Sequence, residues 1–122
     1  MKKETMSRER PVTTQRKAQL LEQIAVYVDE NLEQHITLQL VADHFGVSIS
    51  TVTQLFQKRS NTTFHNFLTQ RRMAAAETLI AQNVPLEEVG KRIGFTDYSS
   101  YYRAFRQYYG VSPREYKQKK KE

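Results

Sequence analysis

The chain has 122 residues, a quarter of them charged, a net charge of +6 and no cysteine. That length gives one domain or two small halves sharing a helix, and without cysteine there is no disulfide framework or thiolate metal site. The start of the chain lacks the apolar stretch of a secretory signal, and no apolar run approaches the roughly 18–20 residues that span a bilayer, so a cytoplasmic protein without membrane contact is expected.

Residues 1–13 are polar, contain Pro11 and lack periodicity, which predicts a flexible basic arm. From Gln15 to Leu32 the apolar residues Leu21, Ile24, Ala25, Val28 and Leu32 fall at helical spacing, and Glu22, Asp29, Glu30 and Glu33 lie on the opposite, acidic face. Thr37 caps a short helix over 38–45 that Gly46 ends, and Ser48 caps another over 49–59 burying Val52, Leu55 and Phe56. Thr62 or Thr63 caps a long helix from Phe64 to Gln82, with Phe64, Phe67, Leu68, Ala75, Ala76, Leu79 and Ile80 as its apolar stripe, stopped by Asn83 and Pro85. A short helix over 86–93 ends at Gly94, and Asp97 caps a helix over 98–109 that ends at Gly110. Ser112-Pro113-Arg114-Glu115 is a capping box with proline at the first helical position, starting a last short helix through Tyr116. No segment alternates with period two beside a hairpin turn, so the expected fold is all-α with no sheet.

The chain repeats itself. Leu38, Val41, Ala42, Phe45, Gly46, Val47 and Ser48 recur about 48 residues later as Leu86, Val89, Gly90, Ile93, Gly94, Phe95 and Thr96. After one extra residue the match continues through Val52, Leu55 and Phe56 against Tyr101, Ala104 and Phe105, and it still holds at Phe67 against Tyr116. Each copy has the form of a helix-turn-helix, in which one helix braces a second that lies in the major groove of DNA. Small residues are needed where the helices cross, hence Ala42 and Gly90, and tight turns at Gly46 and Gly94. Glycine costs about 1 kcal/mol in a helix interior, so Gly90 points to a close helix approach.

The buried faces fix the outward ones. With Val52, Leu55, Phe56 and Arg59 on one side of the first reading helix, Ser50, Thr51, Thr53, Gln54 and Gln57 lie on the other. With Tyr101, Ala104, Phe105 and Tyr108 inward on the second, Tyr98, Ser99, Tyr102, Arg103 and Arg106 face out. The DNA-binding set expected from this is Ser50, Thr51, Thr53, Gln54, Tyr98, Ser99, Tyr102, Arg103 and Arg106. Arginine suits guanine, glutamine suits adenine, and threonine methyls suit thymine methyls. The connecting helix of 19–20 residues rises about 30 Å, close to the roughly 34 Å of one duplex turn. One chain is thus expected to put two unlike reading helices into successive major grooves at an asymmetric site.

The basic residues are concentrated at the ends. Residues 1–20 hold six basic and two acidic side chains, residues 114–122 five and two, and the body between eight and nine. Both ends read as polybasic arms. The expected organisation is an arm (1–13), a first helix-turn-helix subdomain (14–62), a linker helix (63–83), a second helix-turn-helix subdomain (84–117) and a basic tail (118–122).

These motifs closely resemble the DNA-binding domain of the AraC/XylS family of bacterial transcription regulators. The likeness covers Leu21 to Tyr116 and is most specific over Ile93-Gly94-Phe95-Thr96-Asp97-Tyr98-Ser99, then Arg103, Phe105 and Gly110 to Tyr116, while Arg72-Met73 with Ala76, Leu79 and Ile80 resembles the family's linker helix. The resemblance implies seven helices, with base-reading positions on Ser50, Thr53 and Gln54 and on Tyr98, Ser99, Tyr102 and Arg103. The chain departs from the family at Gln54, where arginine is frequent, and at Gly90, where alanine is usual. It also has no room for the additional effector-binding or dimerisation domain of most members, which favours a fragment of a longer regulator over a stand-alone member.

The expected function is sequence-specific binding of double-stranded DNA to regulate transcription, with the isolated chain monomeric. The alternative is a helical interaction module whose acidic first helix contacts a partner such as RNA polymerase. Catalysis is not expected. His35, His44 and His65 share no ligand spacing, and there is no nucleophile elbow, phosphate loop or paired-carboxylate signature. No metal or cofactor is expected.

Overall fold

The structure, a computed structural model, describes residues 14–121. Among the described residues there are seven helices and no strand: α1 (Thr14–Glu30), α2 (Leu38–Phe45), α3 (Ile49–Arg59), α4 (Phe64–Ala81), α5 (Leu86–Arg92), α6 (Tyr98–Tyr109) and α7 (Pro113–Lys121). The all-α fold is as expected. The predicted basic arm over 1–13 lies outside the described residues.

The chain divides into two compact units, and the division at Leu68 and Thr69 falls inside α4. In the first unit α1 and α2 both pack on α3. Its interior holds Ile24 and Val28 from α1, Val41 from α2, and Val52 and Phe56 from α3, all fully buried. The first turn of α4 closes this core, with Phe56 meeting Phe64 at a ring separation of 5.6 Å and Phe67 at 4.9 Å. In the second unit α6 packs between α5 and α7, around Met73, Ala76, Ile80, Val89, Ile93, Tyr101 and Phe105. Here Tyr116 of α7 meets Phe105 edge-on at 5.4 Å. The repeat seen in the sequence is therefore repeated in packing: Phe67 stands to Phe56 as Tyr116 stands to Phe105. The start of α4 closes the first unit as α7 closes the second.

Several expectations change. Leu20 is buried, and Leu21 only half-buried, because Leu20, Ile24 and Val28 form one i, i+4 row. Met73 is fully buried and belongs to the α4 stripe. Tyr108 is 44% exposed and does not face inward. Its place is taken by Tyr109, whose hydroxyl donates to the Met73 carbonyl at 3.1 Å and whose ring lies 4.6 Å from Phe105. Arg59 is exposed at the last residue of α3. The last helix runs past Tyr116 to Lys121, because nothing after the capping box breaks it. In that box the Ser112 N–H donates to Glu115 Oε1 at 2.9 Å and the Glu115 N–H donates to Ser112 Oγ at 3.1 Å. Tyr116 also donates a hydrogen bond to Glu77, which fastens α7 to α4.

Candidate nucleic-acid interface

Each unit contains one brace helix and one outward-facing helix, and local chemistry fixes both turns. In the first unit the Thr37 hydroxyl accepts from the Leu40 N–H at 3.0 Å to start α2. Gly46 then takes φ 69°, a left-handed conformation that favours glycine. Ser48 caps α3 by accepting from the Thr51 N–H at 3.0 Å, and its hydroxyl also pairs with the Thr51 hydroxyl at 2.9 Å. In the second unit Gly94 takes φ 105° and leaves no room for a side chain, since a β-carbon there would overlap the Leu32 carbonyl oxygen. Asp97 caps α6 with three hydrogen bonds: from the Ser100 N–H at 2.7 Å, the Ser100 hydroxyl at 3.2 Å and the Thr96 hydroxyl at 3.4 Å. The backbone and side-chain bonds from Ser100 hold the Asp97 carboxyl below the usual carboxylate range, and Arg103 adds to the effect.

On α3, Ser50 and Gln54 are exposed, and Gln54 Nε2 donates to Ser50 Oγ at 3.2 Å. Thr51 and Thr53 are half-buried, and the Thr51 hydroxyl is already engaged by Ser48. Gln57 is exposed on the same helix. The outward surface of α3 therefore offers amide and hydroxyl groups and no charge until Lys58 and Arg59 in its last turn.

On α6, Ser99, Arg103 and Arg106 are exposed, Tyr102 is half-buried, and Tyr98 is 39% exposed. Tyr98 rests against Tyr101 at 5.7 Å and Tyr102 at 6.3 Å, so the two outer tyrosines form a joined aromatic surface at the start of α6. Burial raises the Tyr98 hydroxyl pKa, and Glu87 pushes in the same direction while Arg114 opposes it. Arg114 thus lies within electrostatic reach of Tyr98 at the start of α6, besides its place in the capping box. Its position after Pro113, at the first turn of α7, was the available signal. Arg72 belongs to a different environment from the other basic residues. Its guanidinium stacks on Phe95 at 5.7 Å, is half-buried and has its pKa lowered by desolvation.

Among the described residues no cluster of His, Asp and Glu could hold a metal ion, and no helix is long and apolar enough to cross a membrane.

Residues 41–119 match a helix-turn-helix domain family, a span that runs from within α2 to within α7. The chain belongs to the AraC-type helix-turn-helix family. It is 33% identical over 106 residues to an uncharacterized HTH-type transcriptional regulator, YijO, of Escherichia coli K12, covering 86% of this chain and 38% of that protein. The chain thus spans well under half the length of that relative. Among solved structures it is similar to the C-terminal domain of AraT, a response regulator from Geobacillus stearothermophilus, with 25% identity and a TM-score of 0.77 over 82% of this chain and 84% of that one. The fold is also that of the DNA-binding domain of AdpA, a global transcriptional factor solved with a target DNA, at 22% identity and a TM-score of 0.73 over 80% and 89% of the two chains. The AraC-type chain is accordingly a DNA-binding helix-turn-helix domain of the transcription-regulator class.

Proposed function

We propose that the two outward helices, one in each unit, read successive major grooves of one asymmetric DNA site, and that one chain suffices for binding in the cytoplasm. The observation that carries this is the pair of unlike, separately capped helices. Ser50, Thr51, Thr53 and Gln54 form the contact set on α3, and Tyr98, Ser99, Tyr102 and Arg103, with Arg106 toward the phosphates, the set on α6. Two unlike sets on one chain do not call for a palindrome, whereas simpler helix-turn-helix dimers match two-fold sites. Selection of bound sequences from random duplexes, followed by footprinting, tests the reading. An asymmetric footprint of about two helical turns with one chain bound is expected. A palindrome occupied by two chains through one motif each would overturn it.

A second reading rests on α1. Val26 is 55% exposed and is flanked at helical spacing by Glu22, Asp29 and Glu30. An apolar side chain ringed by carboxylates repels phosphate and suits a basic protein surface, such as one on RNA polymerase. Val26→Lys should leave DNA affinity unchanged and lower activated transcription in a purified system. Equal loss of both would assign α1 to folding alone.

A further inference from the structure

The two units differ in charge far more than in fold. Among the described residues the first unit has four basic side chains, Arg16, Lys17, Lys58 and Arg59, against four acidic ones, so it is neutral. The second has eleven basic against six acidic. The outward helices themselves each carry two exposed cations, Lys58 and Arg59 in the last turn of the first and Arg103 and Arg106 on the second. Ahead of its two, the first presents only Ser50, Gln54 and Gln57, neutral groups with hydrogen-bonding capacity. The second has Arg103 in mid-helix, and its unit adds Arg114, exposed in the first turn of α7.

We infer that the AraC-type chain divides its DNA binding unequally: the second unit, through Arg106 and Arg114, supplies the salt-dependent grip on phosphates, while the first contributes selectivity through neutral side chains and little grip. This inference rests on the duplex-binding reading above. The physical basis is counterion release. Each phosphate neutralised by a cation displaces condensed counterions, so the dependence of log K on log salt counts such contacts, at a slope of about 0.9 per contact. Amide and hydroxyl contacts to base edges add no such dependence. A neutral unit therefore discriminates among sequences only once a charged one has brought the chain to the duplex.

The test compares matched charge removals in the full chain, measured on one selected duplex and one unrelated duplex across a range of salt. Arg106→Gln with Arg114→Gln should lower the salt slope by between one and two and weaken binding to both duplexes alike. Lys58→Gln with Arg59→Gln removes the same charge from the end of α3 and should leave the slope within half a unit of the parent. Gln54→Ala with Gln57→Ala should narrow the difference between the two duplexes at unchanged slope. All six positions are exposed, and Arg106→Lys with Arg114→Lys, which keeps the charge, should keep the slope. Equal slope losses from the two charge-removing pairs, or a greater loss from the α3 pair, would overturn the division of roles while leaving duplex binding intact. A parent chain that bound neither duplex at any salt would overturn the duplex-binding reading itself.

Discussion

Gly90 lies so close to the ring of Tyr101 that a β-carbon on it would stand 2.9 Å from Tyr101 Cγ. Both residues are buried where the brace helix crosses the outward helix of the second unit. The repeat places Ala42 and Val52 at the matching positions of the first unit, and both are buried there too. Where the first unit has alanine and valine at these positions, the second has glycine and tyrosine. The methyl group missing from Gly90 is room taken by the ring, which explains a glycine in a helix that would otherwise favour alanine.

Gly90→Ala therefore sets two effects against each other. Helix propensity favours alanine by about 1 kcal/mol, while overpacking a filled core costs about 1–3 kcal/mol. Tyr101 is completely buried and cannot swing aside, so a net loss of about 1 kcal/mol is expected in urea unfolding. In a Tyr101→Val background, which recreates the first unit's pair, the same change should stabilise. A double-mutant cycle without coupling between the two positions would refute the account.

The Tyr101 hydroxyl is buried and has no hydrogen-bond partner among the described residues. Burial raises its pKa, so it stays protonated and neutral. Removing an unsatisfied buried hydroxyl removes its desolvation penalty, so Tyr101→Phe should be neutral or stabilising by up to about 1 kcal/mol. Tyr109→Phe is the contrasting case, because it deletes the bond to the Met73 carbonyl and should cost about 1 kcal/mol. Reversed signs in thermal unfolding would mean that the two hydroxyls have exchanged roles.

The parts of this fold legible in sequence are those set by local chemistry. Helices α2, α3 and α6 have the expected bounds because Thr37, Ser48 and Asp97 cap them and Gly46 and Gly110 close the first and last. Periodicity alone was less decisive. From Phe105, the positions three and four residues on both fall near the buried face, and sequence offered Tyr108. Tyr109 packs inward instead, half-buried, because Met73 and Tyr116 lie on that side, and neither is local to α6. Arg72 shows the same limit. It lies beside Gly94 and Phe95, more than twenty residues away, a placement its own sequence neighbours do not show. The exposure of Ser50, Gln54, Ser99, Arg103 and Arg106 was legible because it is what remains when the buried positions are fixed, whereas Thr51, Thr53 and Tyr102 are half-buried. The place of Arg114 was not legible, because its nearness to Tyr98 depends on how α7 packs.

Acid should loosen the second unit at two places. Hydrogen bonds to the charged forms, above all from the Ser100 and Ser112 backbone N–H groups, hold Asp97 and Glu115 below their ordinary values of 3.8 and 4.5. As pH falls the unfolded chain therefore takes up these protons first. The stabilisation is fully present above the ordinary values and is lost as pH drops through the lower folded ones. Asp97→Asn with Glu115→Gln should flatten the fall of Tm between about pH 5 and pH 2, since asparagine remains a good cap at every pH. A Tm profile as steep as the parent's would place the acid sensitivity elsewhere.

Arg103 is the residue on which the proposed reading of α6 is most exposed to test. Its side chain is in solvent, while Tyr101 and Phe105 on either side are fully buried and fix the backbone. The structure puts Asp97 within electrostatic reach, since Arg103 helps to lower the Asp97 pKa. That interaction is between exposed groups, where solvent screening leaves little net stabilisation, so the guanidinium remains available for a base edge, most simply guanine O6 and N7. Arg103→Ala should then cost about 1–3 kcal/mol on the selected duplex and relax selection at one or two base pairs. Tm should barely move. An equal loss of affinity for every sequence would make Arg103 a phosphate contact like those proposed for Arg106 and Arg114. A large fall in Tm would mean that its pairing with Asp97 holds the start of α6 in place, and that the outward face of the helix is turned from the one described.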